Sequence, residues 1–583
     1  MSASPIVAES RPVGESRPTG PGLLARGHYL FLALARRLEA LLPSDARDQW
    51  RSSRAIPKIL KLLFCSAAFG LCFWGFFSLL RDERPLVGTP GSDTLVAQIA
   101  DLNFKVGRDA LRRDTASVRY HGDLSQIPKP GNWSHPTYAD DLRFPLDREP
   151  QDFRLSQCKG LKYGNRVPKT SVVFIFCNEP FETLLRSVHS ALNTSPPDLL
   201  DEIILVDDGS DRPYIKSRED GGTGLLEDYI ALLPKVRLIR TGERSGIVRA
   251  RLTGINAVKS ETFVILDSHI ECQPGWLEPL LYPIGSDPSI VTMPHIDGID
   301  KSTLELQKGG VGCTIGLIWN VMEHAYKPEP GVSPADRVLG GPTDYVSSPT
   351  MAGGLFAANK EWFLKIGGYD TEMSGWGAEN VEFSFRLWQC GGKLLCTECS
   401  RVNHMFGGGK HYKTKGGSTS VNRMRTIASW MDQFADLSWH VLGRPKFEEI
   451  GNLTRMNKLR KELQCKGFKW FLDNVYPESY VRDFPDDVPY LGPIVNIGTK
   501  NCLRQSYRGA NGIRTSDCSS ALQGNKGIHI YWKKPSYITV ENNDETCLVL
   551  GKGDKSQPKW DWCSHNVQWT LDLDFISAGN DTR

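Results

Sequence analysis

The chain has 583 residues, a hydrophobic fraction of 40%, a charged fraction of 23% and a formal net charge of +3. That length exceeds what a single hydrophobic core organises, so two or more folded units with connecting segments are implied. The near-neutral balance excludes a nucleic-acid partner held by bulk basic charge, and the apolar content excludes a wholly disordered chain.

In chain order, residues 1–61 open with a Pro/Gly/Ser/Arg-rich stretch and a brief apolar patch at 29–34, which reads as a largely disordered tail. Residues 62–80 are uncharged and almost wholly apolar, long enough for one helical crossing of a bilayer. Arg51, Arg54, Lys58 and Lys61 precede that span, whereas Arg81, Asp82, Glu83 and Arg84 nearly cancel behind it. The positive-inside bias therefore predicts a signal anchor with a cytosolic N-terminus and a luminal remainder. Of the 14 cysteines only Cys65 and Cys72 fall in the span, so the rest would meet an oxidising lumen. Sequons at Asn132 and Asn452 are compatible with that side of a membrane. Residues 81–155 are polar with scattered prolines and read as a stem.

From Thr170 the pattern becomes α/β. An apolar strand over 172–176, a helical spacing of Phe181, Leu184, Leu185, Val188 and Leu192, and a second strand over 203–206 predict a βαβ unit. The second strand runs into Asp207 and Asp208, acidic groups at a strand's carboxyl edge, where a nucleotide donor can be read or a turn simply closed. The apolar run 263–266 ends in Asp267-Ser268-His269. Residues two apart share one face of a strand, so this carboxylate and imidazole can grip one cation, or else cap backbone groups. His404 follows another strand-like stretch and would complete an Asp/His/His set suited to a borderline metal such as manganese. The Gly-rich segments 351–355 and 375–382 allow close backbone approach to a ligand, and the second loads Glu379 and Glu382 near the start of a predicted helix through Trp388.

The residues Thr170-Ser171-Val172-Val173, Cys177-Asn178-Glu179, Glu202 through Asp208, Leu266 through His269, Gly275-Trp276-Leu277-Glu278-Pro279, Ala352-Gly353-Gly354-Leu355-Phe356, Phe385 through Gly392 and Trp430-Met431-Asp432 together resemble the polypeptide N-acetylgalactosaminyltransferases over roughly 155–583. The resemblance implies a single-pass type II Golgi membrane enzyme with a GT-A (Rossmann-like) domain at 156–475, a linker at 476–490 and a ricin-type β-trefoil lectin domain at 491–583. Its implied reaction moves GalNAc with retention from UDP-GalNAc to Ser or Thr hydroxyls of polypeptides. By matched position Asp267, His269 and His404 would hold Mn²⁺, and Asp208, Arg244, Ser268, Gly354, Trp376, Glu379 and Tyr412 would contact the donor. Glu379, Asn380 and Trp376 would form the catalytic set, with no protein nucleophile required. The pairs Cys158–Cys399, Cys390–Cys465, Cys502–Cys518 and Cys547–Cys563 are implied as disulfides, with Cys177, Cys272, Cys313 and Cys396 unassigned.

Several positions depart from the family pattern. Cys177 stands for a histidine, Ile175 for a threonine, and Gly407 with the following glycines and Lys410 for an arginine-containing loop. An arginine clamps phosphate oxygens bidentately and glycine cannot, so a catalytically silent UDP-sugar or glycopeptide-binding regulator is the alternative expectation. The C-terminal region shows two recognisable lectin repeats where a trefoil has three, and Arg504 and Val549 occupy the positions of the sugar-binding aspartates, which predicts a degenerate or incomplete domain.

Overall fold

A computed structural model describes residues 144–164, 166–212, 224–326, 343–407, 419–442 and 450–479, with short stretches at 119–122 and between 481 and 562. The span at 62–80 and nearly all of the tail and stem lie outside the described residues. Among the described residues no helix is long and apolar enough to cross a membrane.

Twelve strands make the first part: β1 (Thr170–Phe176), β2 (Leu200–Asp207), β3 (Val236–Arg240), β4 (Thr262–Asp267), β5 (Ile270–Cys272), β6 (Ile290–Ile299), β7 (Leu306–Gly312), β8 (Ile315–Ile318), β9 (Met322–Ala325), β10 (Tyr345–Ser347), β11 (Phe356–Asn359) and β12 (Lys393–His404). Ten of them join one sheet in the order β10-β12-β6-β11-β4-β1-β2-β3, with β5 on β12 and β7 on β6. The neighbours β4-β1-β2-β3 are all parallel, and β11 is inserted antiparallel between β4 and β6. Parallel strands need crossover helices on both faces, so their residues must be apolar on both sides. That is why Val172, Val173 and Phe174 of β1 and Phe263 through Leu266 of β4 are fully buried.

The crossovers are α1 (Phe181–Thr194), between β1 and β2, and α2 (Ile247–Ala257), between β3 and β4. In α1 Leu184, Leu185, Val188 and Leu192 line one side at helical spacing and are buried. Each such side chain contributes about 1.5–3 kcal/mol by leaving water. Then α3 (Leu277–Ser286) covers the sheet further along. The helices α4 (Glu379–Gln389) and α5 (Thr419–Trp430) follow, and Phe385 of α4 packs with Phe468 and Phe471 of the helix Phe468–Asn474.

Smaller sheets end the described chain. A five-stranded antiparallel sheet runs β13 (Tyr490–Gly492), β16 (His529–Trp532), β17 (Tyr537–Val540), β18 (Asn543–Leu550) and β19 (Pro558–Trp562), beside the pair β14 (Asn501–Gln505) and β15 (Ile513–Asp517). Ile530 and Trp532 join the main core, whereas Ile538, Leu548 and Trp560 form a small core of their own. Cys158–Cys399, Cys390–Cys465 and Cys502–Cys518 are bonded as the resemblance implied. Cys313 and Cys396, unassigned from sequence, form a further bridge between the β7–β8 connection and β12. Cys547 is disulfide-bonded, Cys563 lies outside the described residues, and Cys177 and Cys272 are free and buried.

Candidate active site

A cavity of about 820 Å³ opens at the carboxyl ends of β1, β2 and β4, lined there by Ile175 to Cys177, by Asp208 and by Asp267 to His269. Open parallel sheets bind nucleotides at this edge, because strand ends leave room and the following loops present backbone and side-chain polar groups.

Asp267 ends β4 and His269 follows two residues later. The ladder between β5 and β12 pairs Ile270 with His404, which carries the end of β12 to the same point. One ligand atom from each of Asp267, His269 and His404 lies within 4.8 Å of the others. His404 Nε2 stands 3.2 Å from Asp267 Oδ2, and His404 Nδ1 is buried with no hydrogen-bond partner. Glu179 stands behind the group: its Oε2 accepts from Ser268 Oγ at 2.7 Å and faces His269 Nδ1 at 3.2 Å. That contact orients the imidazole and leaves its Nε2 as the nitrogen free to ligate.

Charge is concentrated here. Burial works to raise the Asp267 carboxyl, yet the His404 hydrogen bond and the His404, His269 and Arg251 charges outweigh it and hold the group at about 2. Burial works to lower His269, and Glu179 and Asp267 overcome it and carry the imidazole up to about 9. Burial pushes His404 down. One carboxylate and two imidazoles, with an orphaned ring nitrogen among them, fit a divalent metal of borderline hardness. Gly354 makes room for it: its φ is +81°, and a Cβ there would stand 2.3 Å from Asp267 Oδ2.

Asp208 acts through its neighbours. Its Oδ1 accepts from Ser245 N and Oγ at 2.7 and 2.6 Å, and its Oδ2 from Gly246 N at 2.9 Å, which fixes the turn entering α2. Arg244, the residue before that turn, lines the cavity. Across from it, Arg251 of α2 is 2% exposed and reaches Glu379 Oε1 at 3.3 Å, Asn380 Oδ1 at 3.4 Å and Asp267 Oδ1 at 3.9 Å. One buried guanidinium thus joins the Asp267–His269–His404 group to the start of α4. Glu379 also accepts from Gly377 N at 2.8 Å, which secures the turn carrying Trp376. Trp376 itself is 51% exposed at the cavity.

Residues 171–363 match the model described as glycosyl transferase family 2, and residues 342–415 the N-terminal domain of galactosyltransferase. Polypeptide N-acetylgalactosaminyltransferase 12 of Mus musculus is 44% identical over 84% of this chain and 81% of its own length. The Homo sapiens protein of the same name is 44% identical over 68% of this chain and 67% of its own. The chain belongs to the polypeptide N-acetylgalactosaminyltransferases. A crystal structure of GalNAc-T7 with UDP, GalNAc and Mn²⁺ aligns with a TM-score of 0.57 at 30% identity, over 72% of this chain and 76% of that one, and the shared fold is GT-A.

In this transferase Asp208, Arg244, Ser268, Trp376, Asn380 and the Asp267–His269–His404 group line the cavity, and Gly354 and Glu379 stand directly behind it. Ser268 is 1% exposed with its hydroxyl committed to Glu179, so it supports the edge through that bond. Tyr412 and Lys410 lie outside the described residues. Burial pushes the Cys177 thiol up to about 11, which makes it a wall group rather than a nucleophile. Gly407 sits at the cavity with φ +88°, and the nearest side-chain atom to a Cβ there would be Lys301 Nζ at 3.9 Å. Three residues escaped the sequence reading of roles: Arg251, Glu179 and Glu323. Glu179 lay within a quoted motif, and Arg251 sits among the apolar positions of a crossover helix, a weak signal that only tertiary contact interprets.

Proposed function

We propose that this chain is a retaining transferase that moves GalNAc from UDP-GalNAc to Ser or Thr hydroxyls of polypeptides. The observation that carries the reading is the convergence of Asp267, His269 and His404 at the open sheet edge, bound through Arg251 to Glu379, in a chain of this family. Asp267, His269 and His404 would hold Mn²⁺, which when bound supplies positive charge against that developing on the departing diphosphate. The chain's own part is positioning. Asp208 holds the Ser245–Gly246 turn for the nucleotide, Arg244 lines the donor side, and Arg251 keeps Glu379 and Asn380 fixed beside the sugar. Such preorganisation costs no rearrangement as charge moves.

The same reading places a signal anchor at 62–80, a luminal catalytic domain in the Golgi and a lectin-derived C-terminal region. Val549 is 1% exposed and the Arg504 guanidinium donates to Ser516 Oγ at 3.4 Å, which supports weak or absent carbohydrate affinity there. The silent alternative rests on Gly407 and the eroded lectin repeats, and gains nothing from a site whose candidate ligand set and Glu379 are in place. Incubating the full chain with UDP-GalNAc, Mn²⁺ and a Ser/Thr-rich peptide tests the reading: GalNAc-peptide is expected, and UDP binding without transfer overturns it.

A further inference from the structure

One wall of the cavity differs from the rest. The hairpin β8–β9 pairs only with itself, forming a two-stranded sheet apart from the ten-stranded one, and contributes Glu323, His324 and Ala325 to the lining. Glu323 Oε2 is shielded from solvent and has no hydrogen-bond partner. Burial pushes this carboxyl up to about 7 and the Glu379 charge adds to the rise, while a hydrogen bond from the residue's own backbone N–H and the Arg423 and Arg251 charges oppose it. Neither arginine pairs with it. Arg251 is committed to Glu379, Asn380 and Asp267, and Arg423 Nε is itself buried without a partner. An unmade hydrogen bond to a buried acceptor is a cost that a ligand recovers if it brings the donor.

We infer that Glu323 reads the acceptor: its carboxylate receives a lysine or arginine side chain of the polypeptide, flanking the hydroxyl to be glycosylated. This rests on the transferase reading above. Charge decides which substrate fits. A diphosphate repels a carboxylate and GalNAc offers it only neutral hydroxyl and amide donors, so of the two substrates only the polypeptide can supply a cation. Position agrees. The polar groups of the donor side come from the loops after β1, β2, β3, β4 and β12 and from the start of α4, whereas Glu323 comes from the separate hairpin, next to the exposed Ala325. Trp376 and Phe406, 51% and 44% exposed, add apolar surface to the same cavity on which an extended chain can lie.

The test is calorimetric titration of the full chain, with UDP and Mn²⁺ present, by threonine peptides carrying lysine, alanine or glutamate at each flanking position in turn. At one register the lysine peptide is expected to bind about tenfold tighter than the glutamate peptide. Glu323→Gln removes that discrimination and Glu323→Lys reverses it, while the KM for UDP-GalNAc moves by no more than about twofold, since the donor side keeps its contacts. Discrimination that survives Glu323→Gln, its absence from the wild type, or a change confined to the donor KM overturns the assignment. UDP binding measured on the same samples separates the cases: its loss in the wild type defeats the family-level reading, whereas intact UDP binding with charge-blind peptide binding defeats the role of Glu323 alone.

Discussion

The two walls of the cavity are built to different standards. On the donor wall Asp208 is bonded through both oxygens, Glu179 fixes Ser268 and faces His269, and Glu379 is held by Arg251 and Gly377. On the β8–β9 wall Glu323 keeps a shielded oxygen without a partner. On the first wall the carboxylates are held in one geometry by bonds within the chain, although His404 Nδ1 and Arg251 Nε lack partners; on the second the open carboxyl waits for a ligand to complete it. The difference separates a wall fixed for chemistry from one open to recognition, and it can be broken from either side.

The largest effect is expected at the ligand set. His404→Ala or Asp267→Asn should lower transfer on the order of a thousandfold by removing charge stabilisation of the leaving group. Unaltered turnover would place the chemistry elsewhere. Next comes Arg251→Met, which strands Glu379 beside Asp267 without the cation they share; about 3–5 kcal/mol of stability should be lost, read by denaturant unfolding. Gly354→Ala places a Cβ against Asp267 Oδ2 at a backbone angle that side chains resist, and should cut kcat roughly a hundredfold by displacing the ligand.

The smallest effect is at Glu323, where the sign follows from its raised carboxyl. A folded value of about 7 against an ordinary 4.5 means that the folded chain favours the protonated form. The stability due to that preference is complete below about pH 4.5 and lost as pH rises through 7. Glu323→Gln mimics the protonated state, so it should be more stable than wild type at pH 8 by about 1–2 kcal/mol, discounted for the part-exposed side chain, and equal to it at pH 4. Melting curves at the two pH values check this. A destabilised variant at pH 8 would mean that Glu323 already has a partner within the chain.

Much of the donor wall was legible in the sequence because it is local. The run 263–266 ends in Asp267-Ser268-His269, and a period of two places both ligands on one face without knowledge of the fold. β1, α1 and β2 appeared where apolar runs and helical spacing put them, each extended by a few residues at its ends, where periodicity is weakest. His404 was offered by its place after a strand-like stretch and by the resemblance, and its position is secured by a ladder between strands far apart in the chain. The bridge Cys313–Cys396 could not be read, since connectivity depends on which strands meet. Arg251 was missed for the same reason: its partners Glu379 and Asn380 lie 128 and 129 residues away. Glu323 carries no sequence signal, because what marks it is an absent partner, and absence is a property of packing.

The most direct measurement is Mn²⁺ titration of the chelator-stripped full chain, following GalNAc transfer from UDP-GalNAc to a threonine peptide. Transfer should rise from near zero to a plateau in the wild type and stay near zero in His404→Ala. Full transfer in excess chelator, or a titration curve that His404→Ala leaves unchanged, would contradict the assignment of Asp267, His269 and His404 as the centre of this enzyme.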